Sequence, residues 1–246
     1  MAEVGGKIRL FVRSDLGPEA EVPLDADQAH YLFNVMRLGL EAPVTIFNGR
    51  DGEWFARVTR TGRNGGGLRV YAAGAAQRRP PDLTLLFAPI KKARTDFIVE
   101  KATELGCARI QPVFTRRTNS ERLRIDRLRA HAIEAAEQCG ETHVPEVAES
   151  ARLDRLLDGW DPARRLMFCD EARVARPAAE VLAETERGAP WAILIGPEGG
   201  FAEEEVARLR AQPYVVSVTL GPRVLRADTA TCAALTLWQS VLGDWR

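Results

Sequence analysis

Metal-ligand chemistry has little to work with in this chain. Its four cysteines, Cys107, Cys139, Cys169 and Cys232, are widely spaced and form no CxxC pair. That speaks against a zinc site and a disulfide framework, and suits a reducing cytoplasm. There are only three histidines. His30 has no second histidine at ligand spacing, and His131 and His143 are too far apart for a local metal motif. No metal is therefore expected. No apolar run approaches the length that spans a bilayer. The opening stretch MAEVGGKIRLFVR lacks the apolar region of a secretory signal, so a cytoplasmic protein without a membrane partner is expected. Lysine is scarce too: only Lys7, Lys91, Lys92 and Lys101 break the run of arginines. Arginine's planar fork suits phosphate and base edges, although a GC-rich genome produces the same bias.

Net charge is also absent, at +0 over 246 residues. The balance is uneven, however. Residues 91–129 carry 11 Lys/Arg against 5 Asp/Glu, and residues 130–246 carry 12 against 19. A basic segment in a neutral protein is either a polyanion-binding face or a pair of solvated helices. Hydrophobic content of 46% is ample for a packed core.

Residues 1–75 read as a small β-rich unit. Lys7–Arg13, Pro43–Asn48, Glu53–Arg60 and Leu68–Ala72 are strand-like, with turns at Asn48-Gly49, Asp51-Gly52 and the glycines after Asn64. One helix is expected from Asp25 through Leu38, with Gln28 completing a capping box. Pro80-Pro81 lies in a linker, residues 75–82, that neither helix nor central strand can absorb. From Leu83 strands and helices alternate. Strands are expected at Leu83–Ala88, Arg109–Phe114, Leu166–Cys169, Trp191–Ile195 and Tyr214–Leu220. Helices are expected at Ala93–Leu105, Leu123–Cys139, Pro177–Glu186, Glu203–Leu209 and Asp228–Leu242. That rhythm implies residues 76–246 form an α/β domain with a parallel sheet covered on both faces.

Two of those strands stop at Gly-Pro loops. The first loop is Leu194-Ile195-Gly196-Pro197-Glu198-Gly199-Gly200-Phe201. No Lys or Ser/Thr follows its glycines, so it is not a phosphate-cradling P-loop, and the spacing does not fit the dinucleotide fingerprint. The second runs Leu220-Gly221-Pro222-Arg223-Val224-Leu225-Arg226-Ala227-Asp228-Thr229-Ala230, with Asp228 as the expected N-cap of the last helix. Each loop alone is an ordinary tight turn. As a pair they suit two walls of one crevice, where bare backbone grips a flat, weakly charged heterocycle such as the adenine of S-adenosylmethionine.

GPEGG after an apolar strand, followed by LGPRVLRADTA before the last helix, resembles the RsmE family, the ribosomal RNA small subunit methyltransferases E. So do Arg9-Leu10-Phe11-Val12, His30 with Val35-Met36-Arg37, Lys101-Ala102-Thr103-Glu104-Leu105-Gly106, and Glu137-Gln138-Cys139-Gly140 with Val144-Pro145-Glu146. GPEGG alone is shared with other SPOUT proteins, whereas the ordered set is specific to this family. The resemblance implies a SPOUT (α/β-knot) domain with a C-terminal trefoil knot and an N-terminal PUA-like β-barrel that holds RNA. It also implies a homodimer, S-adenosylmethionine as cofactor, and methylation of N3 of a uridine in 16S ribosomal RNA. Other outcomes are a SPOUT enzyme for another RNA position, or a non-catalytic RNA-binding protein.

Carried over, the cofactor loops are Leu194 to Gly200 and Leu220 to Ala230. The cofactor contacts are assigned to Leu194, Ile195, Gly196, Pro197, Glu198, Gly199, Gly200, Leu220, Gly221, Val224, Leu225, Arg226, Thr229 and Ala230. Two positions depart from the family pattern: Asp228 stands where Glu is usual, and Glu141 where Arg is usual. Methylation at N3 needs a proton acceptor and cationic donors for the charge that spreads onto O2 and O4. Arg226 is the candidate donor, and Asp228 or Glu198 the acceptor or its orienter; a helix-capping role alone is the alternative for Asp228. Arg9, Arg37, Lys91, Lys92, Arg94, Arg116 and Arg117 are candidate phosphate contacts. Cys139 reads as a small buried hydrophobe, since methylation at a ring nitrogen needs no covalent intermediate. Trp238, with Leu235, Leu237 and Leu242, reads as core or dimer interface.

Overall fold

The computed structural model describes residues 5–119, 123–172 and 174–245. The chain divides into two compact units. The first takes the described residues of Met1–Arg79 together with Ala136–Val144, and the second those of Pro80–Ala135 and Pro145–Arg246. The sequence places the border at 75/76; these units part at 79/80, and the first also takes in the 136–144 segment.

In the first unit, β1 (Arg9–Phe11), β2 (Glu21–Leu24), β3 (Pro43–Phe47), β4 (Glu53–Arg60) and β5 (Gly66–Ala73) form one sheet in the order β1-β3-β4-β5-β2. Alternate residues of each strand point inward, so Leu10, Val22, Leu24, Val44, Ile46, Ala56, Val58, Leu68 and Val70 make one core with Leu32. The strand β2 was not expected: Pro23 and Glu21 disguise it. It sits at the sheet edge, where proline is tolerated. The helix α1 (Ala26–Ala29) begins on the capping box of Asp25 and Gln28. It continues as a π-helical turn, His30–Val35, and ends earlier than the expected Leu38. Arg37, at φ 55, takes the left-handed conformation that stops it.

In the second unit, β6 (Leu83–Phe87), α2 (Lys92–Glu104), β7 (Arg109–Phe114), α3 (Ile125–Cys139), β8 (Glu146–Val147), β9 (Ala151–Arg152) and α4 (Leu153–Asp158) come first. The last turn of α3 is counted with the first unit. Then follow β10 (Arg165–Cys169), α5 (Ala178–Ala183), β11 (Trp191–Ile195), α6 (Glu203–Arg210), β12 (Val215–Val218) and α7 (Ala227–Val241). All pairings are parallel, in the order β12-β10-β11-β6-β7-β8, with β9 on β7. Every residue of β6 and β11 is buried, as strands covered on both faces must be. Burying a leucine such as Leu85 or Leu194 contributes about 1.5–3 kcal/mol. Leu153, Leu157 and Leu209, from α4 and α6, join Leu86, Leu166 and Leu194 in one core cluster. The last helix packs on α2, α5 and β11, burying Leu235 and Trp238. Gly106 and Gly140, both with positive φ, end α2 and α3.

Two expectations are corrected here. The N-cap of α7 is Arg226, not Asp228, which sits in the first helical turn. There its carboxylate accepts from the Thr229 amide at 2.9 Å and complements the helix dipole. Cys139 is exposed rather than buried.

Candidate functional site: a crevice between two glycine-proline loops

Three parallel strands, β12, β10 and β11, are neighbours and end on the same side of the sheet. Their carboxyl ends, with the turn that leads into α2, surround a cavity of about 550 Å³. That is the size of a small-molecule site at the carboxyl edge of an α/β sheet.

The loop after β11 is fixed by the core beneath it. The ring of Phe201 lies under Gly196, where a Cβ would fall 2.5 Å from it, and meets Phe168 edge-on at 5.2 Å. The Gly200 amide donates to the Pro197 carbonyl at 2.9 Å, closing a turn that needs the positive φ of Gly200. Ile195, Gly196, Pro197 and Glu198 line the cavity. Leu194, Gly199 and Gly200 do not: Leu194 is fully buried in β11, and the two glycines shape the turn.

The loop after β12 forms the facing wall. Leu220, Gly221, Val224, Leu225, Arg226 and Ala230 line it, and Thr229 does not. Thr219 is tied to Gly221 by its hydroxyl, and Arg226 accepts on its carbonyl from the Ala230 amide at 2.7 Å. Among the described residues the Arg226 guanidinium has no ion pair, and the residue is exposed.

Arg94 joins the two walls. It donates to Glu198 at 2.6 Å, and its Nε lies 3.5 Å from Asp228. The start of α2 is fixed by Thr95, whose buried hydroxyl bonds both the amide and the carbonyl of Ile90. Arg94 is therefore held one residue from that anchor. One cation thus lies within ion-pair distance of both carboxylates.

The other candidate phosphate contacts fall in different places. Lys91 is exposed and lines the cavity, and Lys92 is exposed on α2. Arg117 donates to the Gly199 carbonyl at 3.2 Å, and Arg116 pairs with Glu204 at 3.2 Å while its amide donates to Glu205. Arg37 is exposed in the first unit. Arg9 is engaged within the first unit: its part-buried guanidinium pairs with Glu53, donates to the Glu141 carbonyl and stacks on Phe47. Burial pulls the Arg9 pKa below its ordinary value. Glu141, the other departure from the family pattern, uses its carboxylate to accept from the amides of Thr142 and His143.

Sequence reasoning missed the third strand's contribution. Cys169, Asp170 and Glu171, at the end of β10, line the cavity, as do Phe201, Thr219, Arg223 and Ala227. Cys169 offers no nucleophile, since burial pushes its thiol up to about 12. Asp170, 4% exposed, is paired with Arg210. No group of three or more potential metal ligands occurs among the described residues.

Two family models match. One, an RNA methyltransferase domain, covers residues 77–239, and the other, an RNA methyltransferase PUA domain, covers residues 24–66. The chain is 28% identical to the ribosomal RNA small subunit methyltransferase E of Rickettsia conorii, over 92% of this chain and 93% of that one. It is 27% identical to the protein of the same name from Bacillus subtilis, over 87% of each. Among solved structures it resembles a ribosomal RNA small subunit methyltransferase E from Neisseria gonorrhoeae bound to S-adenosylmethionine. That match has a TM-score of 0.87 at 26% identity and covers 97% of this chain and 99% of the other.

Proposed function

The chain belongs to the RNA methyltransferase family, and from that premise we propose that it transfers the methyl group of S-adenosylmethionine to N3 of a uridine in 16S ribosomal RNA. One observation carries the reading: two Gly-Pro loops, after β11 and β12, face each other across one cavity of about 550 Å³. The cavity suits the cofactor, because it presents backbone of both loops to a heterocycle and charged side chains beyond. Relatives over most of the chain carry the ribosomal RNA small subunit methyltransferase name, and one was solved with S-adenosylmethionine. Under the same reading the protein works in the cytoplasm as a homodimer. Its second unit is a SPOUT domain with a C-terminal trefoil knot, and its first a PUA-like module that holds RNA.

When bound, the cofactor supplies an electrophilic methyl carbon on a sulfonium. The chain's own residues handle the proton and the charge. Arg226, exposed at the cavity and without an ion pair among the described residues, donates to the uracil oxygen on which charge accumulates as N3 loses its proton. Asp228 or Glu198 takes that proton or orients the group that does. Arg94 holds both carboxylates in place. Lys91, Lys92, Arg37, Arg116 and Arg117 contact phosphates and position the RNA.

Mass spectrometry of 16S ribosomal RNA from a strain lacking the gene, with and without the gene restored, tests this reading. Loss and recovery of a 3-methyluridine is the expected result. An unchanged modification would leave a non-catalytic RNA-binding protein, and loss at a different nucleotide would redirect the substrate assignment. For the purified protein, Asp228→Asn is expected to lower turnover by about 100-fold or more with cofactor affinity kept. Full turnover would remove Asp228 from the chemistry.

A further inference from the structure

We propose that Glu171 is a cofactor-binding residue whose carboxylate accepts from the two ribose hydroxyls of the adenosyl group. The inference rests on the cofactor reading above. It begins with topology. The strand β10 lies between β11 and β12. The chain that leaves β10 therefore emerges between the loop after β11 and the loop after β12, and Glu171 is two residues past the strand's end. It lines the same cavity as both loops.

Charge then separates Glu171 from the carboxylates in and beside the crevice. Glu198 and Asp228 share Arg94, and Asp170 is buried on Arg210. Glu171 has no hydrogen bond or ion pair among the described residues. Its carboxylate leans on Gly200, where a Cβ would overlap it. The glycine at 200 thus serves two ends: it permits φ 67 and leaves room for Glu171.

A carboxylate is an acceptor only, with room for several donors. The methionine end of the cofactor is a zwitterion and asks for a cation and an anion side by side. Arg94 with Glu198, both lining the cavity, supplies that pair, and Glu171 has no ion pair among the described residues. The ribose offers two adjacent neutral donors and joins the base to the sulfonium. A carboxylate at the end of the strand between the two base-gripping loops matches that demand, as an acidic residue at a neighbouring strand end does in dinucleotide folds.

Calorimetry with two probes tests this: S-adenosylhomocysteine, and 5′-methylthioadenosine, which keeps the ribose but lacks the amino acid. Glu171→Ala is expected to weaken both by the same factor, about 10- to 100-fold, as for lost hydrogen bonds to a charged group. Glu171→Gln, which keeps one acceptor, should lose less. An unchanged melting temperature in both variants would show that the fold is intact. A loss confined to S-adenosylhomocysteine would overturn the assignment in favour of the ammonium group. Unchanged affinity for both probes would overturn it outright. If the wild-type protein binds neither probe, the cofactor reading itself fails, and that result is distinct from any defect of the variants.

Discussion

The loops after β11 and β12 both open on Gly-Pro and line one cavity, yet they are built on different terms. In the first, Pro197 is buried, the ring of Phe201 fills the space under Gly196, and Gly200 closes a hydrogen-bonded turn. In the second, Pro222 and Arg223 are exposed, Val224 is 69% exposed, and no atom lies within 4 Å of a Cβ placed on Gly221. One wall is set by the core before any ligand arrives. The other is held at its ends, by Thr219 and by the first turn of α7, and presents an apolar side chain to solvent until something covers it. The same residue type therefore does two jobs. Gly196 provides space, and Gly221, at φ 121, provides a backbone conformation.

Substitutions can break this contrast. Gly196→Val should be the most damaging, since its side chain enters the space of the Phe201 ring. A cost of about 2–3 kcal/mol is expected, read as a lower midpoint in urea unfolding. Gly221→Ala meets no neighbour and carries only backbone strain, so about 1 kcal/mol is expected in the same assay. Equal costs would show that the two loops are not built differently. Arg94 ties the walls together through Glu198 and Asp228. Its removal in Arg94→Ala should change stability by less than about 1 kcal/mol, because the pairs are part-exposed. Turnover is expected to fall roughly tenfold or more, in line with the loss of a charge-assisted contact, and Arg94→Lys should recover part of it. A variant with normal turnover would make Arg94 a surface ion pair and nothing more.

The smallest effect lies away from the crevice and serves as a reference for it. The Leu16 amide and the Asn48 side chain hold the Asp51 carboxyl below its ordinary value. A depressed carboxylate contributes stability that is fully present above its unfolded value, about 4, and is lost as pH falls through the lower folded value. Asp51→Asn should therefore shrink the stability difference between pH 6 and pH 3, leaving cofactor affinity at neutral pH unchanged.

What the sequence makes legible follows physical range. The strand β11 and its loop are plain, because an apolar run ends abruptly at glycines. Helix ends at Gly106 and Gly140 are equally plain, since each is a local demand for positive φ. The cap of α7 is not legible because Arg226 holds the capping backbone position without a capping side chain, while Asp228, two residues on, carries the usual one. The short elements β8, β9 and α4 have too few residues to show a period. Strand order is a long-range property and leaves no local trace. Only the placement of β10 between β12 and β11 reveals that Cys169, Asp170 and Glu171 belong to the crevice. Arg9 and Arg94 illustrate the same limit. As letters they are two cations near an expected RNA face, and in the fold one is locked to Glu53 and the other bridges two site carboxylates.

The central claim is that these two loops are walls of one cofactor crevice. A crystal structure of the protein with S-adenosylhomocysteine tests it most directly. The account predicts an adenine ring held between Ile195–Pro197 and Leu220–Leu225, bonded to their backbone groups. Density for the ligand elsewhere, or an adenine touching one loop alone, would contradict it.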